Sequence, residues 1–360
     1  MSPSQPIHDQ PVRLTIRDGG WVLIIAAALV GGLMLWSIIT ALGQSGPRLM
    51  GDGEHLESYG FVLEPSLLPD DAILASPLQR DLMSALVMPR ALDRAALAED
   101  LKTQRGKYLV STDRIIGVVI NGEARAYPLQ LLNWHAIAND VVGGRAIAVT
   151  YDPLCDSAIV YDRTVGGETR EFRVSGLIYN SNLLMFDARP QGDPVESSLW
   201  CQIQGRAVVG PAAADGLVLD ALPCSLTHWG DWTSHHPDTT VLTRNPTLIA
   251  RYNKIDYSRY YKIDEIHFPI TPVLEPGGRA PKARVVQIAA GDERRVFALS
   301  DLAAKVGTGS WTTDLAGRAV TFSRVTDETA IIDAPADVDV RFALWFAWHA
   351  MVPDAAAVAP

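Results

Sequence analysis

From Arg114 onward the chain alternates short apolar runs with Gly- and Asn-marked turns, the pattern of a β-rich fold. IIGVVI (115–120), Asn121-Gly122 and EARAYPL predict a hairpin, because Asn-Gly supplies the two positive φ angles of a type I′ turn. Leu129 to Ala138 predicts a short helix carrying Trp134 and His135. The Gly143-Gly144 turn leads into a strand, RAIAVTY (145–151), and AIVYDR (158–163) forms the next. LIYNSNLLMFD (177–187) alternates like a half-buried strand, which puts Asn180 and Asn182 on one face as lining of a polar pocket. The Trp-rich block from Ser197 to Asp238 predicts strands and tight loops, with His235-His236-Pro-Asp as a turn before TTVLT. Upstream, Pro77 to about Lys102 predicts one or two short helices, with Pro77 at a helix start. The C-terminal FALWFAWHAMV (342–352) is too short to span a bilayer and predicts a packed amphipathic helix.

One stretch breaks this pattern. Trp21 to Leu42 runs for 22 residues without a charge. At about 1.5 Å per residue it spans a hydrocarbon core of about 30 Å. It exceeds the roughly 7–15 residues of a signal-peptide apolar region, so an uncleaved anchor is expected. Arg13 and Arg17 precede it and Arg48 follows, which orients the N-terminus to the cytoplasm and the body to the extracytoplasmic side, the periplasm in a cell with an outer membrane.

The β-rich region also repeats. RIIGVVINGEARAYPLQLL, NDVVGGRAIAVTYD and AIVYD in residues 114–163 match ARVVQIAAGDERRVFALSDL, TDLAGRAVTFSRV and AIIDA in about 283–333. The expected architecture is α+β and β-rich: two related β-rich units with short helices, preceded by one transmembrane helix. The boundaries are a cytoplasmic tail (1–20), the anchor (21–42), a linker or wrapping segment (43–76), a first unit (77–270), and a second unit with a C-terminal helix (271–355). The second copy has no counterpart of His135 or Cys155, so the chemistry is assigned to the first.

Composition narrows the function. With 31 basic and 41 acidic residues the net charge is −10, which argues against a nucleic-acid surface. Cysteines 155, 201 and 224 are too few for a disulfide framework, and none forms a C-x-x-C pair. His135, Asp152 and Cys155 offer one nitrogen, one oxygen and one sulfur ligand, a set suited to zinc or copper, with His228, His235 or His236 to complete it. Alternatively Cys155 is a nucleophile activated by His135, although Asp152 and Asp156 oppose thiolate formation. A disulfide from Cys155 to Cys201 or Cys224 is a third arrangement. Trp200 and Gln202 are assigned to the wall of this metal-binding or redox-type site. Against all three stands ordinary packing: a buried thiol, a hydrogen-bonded histidine, core tryptophans, and Asp140 as a turn former. The competing function is a non-catalytic binding or scaffold module whose Trp-rich face recognises a partner or carbohydrate.

ARAYPLQLLNWHAIANDVVGGRAIAVTYDPLCDSAIVYDR, VSGLIYNSNLLMFD, SLWCQIQGRAVVG and HHPDTTVLT together resemble the bacterial domain of unknown function 3179 family, over about residues 60–350. The resemblance implies a secreted or membrane-anchored β-rich protein of unsettled activity. That family's loop usually reads Tyr-Cys-Pro-Leu-Cys and its helix Trp-His-Glu; here Asp152 and Ala136 stand at those places. Cys201 occupies a position that is commonly small and polar in the same Leu-Trp-x-Gln context. If the family's cysteine pair binds a metal or cycles as a dithiol, this chain keeps one thiol of it.

Overall fold

The Asn-Gly hairpin forms as expected: β1 (Arg114–Ile120) and β2 (Glu123–Pro128) flank Asn121 and Gly122, both at positive φ. They belong to a computed structural model that describes residues 50–69, 71–103, 108–188 and 197–352, with Ile25, Leu29 and Val30 as isolated helical positions. Apart from those three, the anchor expected at 21–42 lies outside the described residues. Among the described residues, no helix is long and apolar enough to cross a membrane.

After β2 come α1 (Leu129–His135), β3 (Ile137–Val142), β4 (Arg145–Asp152) and β5 (Ser157–Asp162). The helix stops three residues short of its expected end. Ala136 takes a φ of 55°, and Ile137 to Val142 turns outward to pair with Arg145 to Thr150 across the Gly-Gly turn. Asp140 is therefore a strand residue, not a turn former. Its carboxylate accepts from Arg125 and from the Tyr127 hydroxyl, both at 2.7 Å.

Four strands follow β5 and form a separate sheet with Ile73–Ala75 at its edge: β6 (Glu171–Tyr179), β7 (Asn182–Ala188), β8 (Leu199–Cys201) and β9 (Ala207–Val209). The single strand expected over 177–187 is thus a hairpin. Asn180 and Ser181 adopt φ of 48° and 63° and reverse the chain, a conformation asparagine tolerates through its short polar side chain. The chain then enters β10 (Ser225–His228), α2 (Trp229–His235) and β11 (Thr240–Leu242). Strands and loops were expected across the Trp-rich block, but Trp229 and Trp232 lie three apart on one face of a helix. Farther upstream the outcome is the reverse: Leu86–Val87 and Ala91–Leu92 are strands and the helix starts only at Arg94, not Pro77.

The second copy repeats the first element by element: β12 (Arg284–Ala290), β13 (Glu293–Ala298), α3 (Leu299–Val306), β14 (Ser310–Leu315), β15 (Arg318–Ser323), β16 (Ile331–Asp333), β17 (Asp339–Leu344) and α4 (Trp345–Met351). The repeat extends beyond the motifs that reveal it in the sequence. β10 and α2 match β17 and α4, and Trp229-x-x-Trp232 matches Trp345-x-x-Trp348. The strands β6 to β9 are the insertion that distinguishes the first copy.

The copies are interleaved. β5 of the first copy pairs with β17 of the second at Ala158 and Phe342. Reciprocally, Ala330, just before β16 of the second, bridges Leu226 in β10 of the first, and the two are the equivalent residues. One sheet thus runs β13-β12-β17-β5-β4-β3, and its partner runs β2-β1-β10, continuing through that bridge to β16-β15-β14. Ile115, Val149, Val160, Val286, Phe297 and Phe342 fill one shared core, drawn from both copies. Ala148, Ile159 and Tyr161 turn the other way and pack against Phe172, Leu184 and Trp200 of the inserted sheet. β4 and β5 are thus buried on both faces, which is why they read as nearly continuous apolar runs.

The shared core leaves little slack. Gly117 on β1 faces the Trp232 ring, and a Cβ there would come within 2.5 Å of it. Trp232 is buried and its Nε1 donates to Thr239 at 2.9 Å, so the ring is held in place. Gly117→Ala is expected to destabilise the fold by about 1–3 kcal/mol through overpacking, read as a lower urea midpoint at unchanged slope.

Candidate functional site

Residues Tyr151 to Ser157 join β4 to β5 at the end of the central layer. Because successive strand residues face opposite sides, Tyr151 and Asp152 point into different environments. The turn splits its chemistry accordingly.

On the side of the inserted sheet lies a closed polar network. The Asp152 carboxylate accepts from Leu154 N (2.9 Å), Leu183 N (2.9 Å) and Asn182 Nδ2 (3.1 Å). Asn182 Nδ2 also donates to Gln202 Oε1 at 2.9 Å, and Ser157 donates to the same oxygen at 2.6 Å. Gln202 Nε2 donates to Thr150 Oγ1 at 2.9 Å. Cys155 donates to Ser181 O at 3.0 Å. Burial raises the Asp152 carboxyl above its ordinary value, against the pull of these N–H donors. Burial, reinforced by Asp152, likewise pushes the Cys155 thiol well up. Cys201 is pushed up to about 11 and Cys224 to about 12, again by burial. All three thiols are buried and free, so the expected disulfide does not form. A fully buried, protonated thiol is a poor nucleophile.

His135 stands apart from this network. Its Nδ1 lies 2.6 Å from Ser84 O, which can only accept, so Nδ1 carries the proton and Nε2 accepts from the Tyr252 hydroxyl at 2.9 Å. Burial lowers its pKa and keeps it neutral. With both nitrogens engaged it has none left for a metal or for Cys155. The expected ligand set of His135, Asp152 and Cys155 is not gathered: among the described residues, no three His, Cys, Asp or Glu side chains are placed to hold a metal ion. The further histidines lie on or beside α2, where His236 packs on Trp232 and His235 reaches Asp333 at 3.4 Å. Asn180 and Asn182 also separate, Asn180 binding Thr271 and Ala350 O instead. Trp200 and Trp232 are core residues and Trp229 is half-buried, so the Trp-rich block does not form an exposed face.

On the other side, Asp156 is the centre. Its side chain is 0% exposed and accepts from Arg114 Nη2 (3.0 Å to each oxygen), Arg284 Nε (2.6 Å) and the Tyr151 hydroxyl (2.8 Å). Burial opposes its ionisation, but the two guanidinium groups outweigh this and hold the carboxyl below its ordinary value. Arg114 and Arg284 open β1 and β12 and are equivalent in the two copies. Glu328 is the equivalent of Asp156, and it closes the set through Arg284 Nη1 at 3.3 Å and, by its backbone oxygen, Arg114 Nη2 at 3.4 Å. The cluster thus forms where the two copies meet.

This cluster floors an open pocket of about 860 Å³. Gln130 and Asn133 of α1 stand on one wall, and Tyr252, Tyr257 and Tyr261 on another. Tyr261 donates to Pro153 O at 2.7 Å, which ties that wall to the β4–β5 turn. Sequence reasoning missed the pocket because its residues come from six separate stretches of the chain. The repeat held the one available signal, since it places Arg114 opposite Arg284.

Among curated proteins and among solved structures, nothing matches the chain. Over residues 91–341 it matches the family described as Protein of unknown function (DUF3179), and with well over half of its length covered the chain belongs to that family.

Proposed function

We propose that this chain is a non-catalytic binding protein, tethered to a membrane through residues 21–42, whose ligand occupies the pocket above Arg114, Asp156 and Arg284. The observation that carries this reading is the contrast between the two sides of the β4–β5 turn. On one side the buried network of Asp152, Asn182, Gln202, Thr150 and Ser157 is closed on itself by hydrogen bonds. On the other, charged and phenolic groups line an open cavity within the roughly 300–1,000 Å³ range of small-molecule sites. The buried thiols and the occupied imidazole supply no accessible nucleophile or base.

The test is a thermal-shift screen of the full chain, in a detergent that carries no sugar headgroup, against small polar metabolites. A ligand at about 100 times its Kd adds about 2.7 kcal/mol to stability, enough for a clear rise in Tm. A filling substitution on the exposed rim, Ser258→Trp, is expected to abolish that rise without lowering the basal Tm. A rise that survives Ser258→Trp, or the absence of any ligand, would count against the reading. Membrane tethering is tested separately: the chain is expected in the membrane fraction and, after deletion of 1–42, in the soluble one.

A further inference from the structure

We infer that the ligand of this pocket is a neutral, hydroxyl-rich molecule of the saccharide class, an inference that rests on the pocket being a ligand site at all. Three features of the walls point to it.

The first is charge balance. The lining holds three cations, Arg114, Lys262 and Arg284, and three carboxylates, Asp113, Asp256 and Glu328, with Asp156 directly beneath. An anion entering the pocket meets as many like charges as opposite ones. The lining therefore gives it no net attraction.

The second is a polar lining that can both donate and accept. Thr112, Gln130, Asn133 and Ser258 bring hydroxyls and amides to the pocket. A carboxylate or phosphate can only accept from them, and an apolar ligand can do neither. Hydroxyl groups donate and accept, so a polyol answers both.

The third is the aromatic wall. Tyr257 is half-buried, and among the described residues its hydroxyl makes no hydrogen bond, while Tyr261 stands beside it on the same segment. A tyrosine presents a flat apolar face with a polar tip, which suits a ring that is apolar on its faces and hydroxylated on its rim.

The experiment is isothermal titration calorimetry on the full chain in lauryldimethylamine oxide, avoiding maltoside and glucoside detergents that would compete. The probes are glucose, galactose, mannose, N-acetylglucosamine, maltose and lactose. Inorganic phosphate and citrate are titrated in parallel. At least one neutral sugar is expected to bind saturably, with a Kd unchanged within twofold between 50 and 500 mM NaCl. Asn133→Leu, which removes an amide from the lining, is expected to weaken binding at least tenfold. Should that variant fold poorly, Tyr257→Phe removes one hydroxyl from a half-buried position and is expected to weaken it several-fold.

Salt-sensitive binding of phosphate or citrate, with no sugar bound, would overturn this inference and leave the pocket as a ligand site. Binding of neither class would overturn this inference, and the thermal-shift screen with Ser258→Trp then decides separately whether the pocket takes any ligand. Sugar binding that is unchanged in both variants would place the sugar elsewhere on the protein and overturn the assignment to this pocket.

Discussion

Asp156→Asn is expected to destabilise the folded body by about 3–5 kcal/mol, whereas Glu328→Ala, at the equivalent position of the second copy, costs at most about 1 kcal/mol. The Asp156 carboxylate contacts both arginines, whereas that of Glu328 contacts Arg284 alone, so the contrast combines burial with the number of partners. The Asp156 side chain is 0% exposed, and Arg114 and Arg284 are 15% and 14% exposed. Removing the charge leaves two guanidinium groups facing each other with their compensation gone. Glu328 is 45% exposed, and its pairing with Arg284 is screened by solvent. Asparagine is the right probe because residue 156 has a φ of 43°, a left-handed conformation that asparagine tolerates and most residues do not. The pH dependence follows from the depressed carboxyl. Stability from Asp156 is fully present above the ordinary aspartate value of about 3.9 and is lost as pH falls through its lower folded value. Acid unfolding of the wild type should therefore flatten in Asp156→Asn below about pH 4. Urea titrations of both variants at pH 7 and pH 3.5 measure the two effects. Equal costs for the two substitutions would mean that burial does not separate the two copies.

How much of this was legible in the sequence depends on the range of the interaction. Asn121-Gly122 and Gly143-Gly144 each dictate their own turn, so both hairpins were readable from a few residues. The Asn180-Ser181 turn was not, because neither residue is a glycine and apolar residues flank it closely on both sides. The helix Trp229–His235 was hidden for a different reason: Gly230, Asp231, Thr233 and Ser234 are weak helix formers, and the packing of Trp232 against β1 overrides them. The candidate ligand set, which the structure does not gather, came from an argument that is sound in form. Residues present in one copy and absent from the other were taken as the functional ones, which selected His135 and Cys155. In the structure Cys155 is part of the core that the inserted sheet adds to the first copy, and His135 is held between Ser84 and Tyr252. The open pocket forms around arginines retained in both copies, because it lies where the copies meet and each must contribute.

Asp152→Ala is the second large effect, expected at about 3 kcal/mol or more, since each buried donor left unpaired costs about 1–3 kcal/mol. It strands Leu154 N, Leu183 N and one bond of Asn182 Nδ2, and through Asn182 it loosens the contact with Gln202. Its pH signature has the opposite sign to that of Asp156. Burial raises the folded-state pKa of Asp152, so the native state holds its proton more tightly than the unfolded chain does. The stability this confers is fully present below the ordinary value of about 3.9 and is lost as pH rises through the raised folded value. Alanine has no proton to bind and loses nothing over that window. The gap between wild type and Asp152→Ala is therefore widest at the acid end, narrows as pH rises, and is constant above the folded value. Urea midpoints taken at half-unit steps from pH 3.5 to pH 8 would trace it. A gap that widens with pH would mean that the three N–H donors stabilise the carboxylate more than burial penalises it. The closed side of the turn would then be an anion-holding nest, with its charge retained at neutral pH.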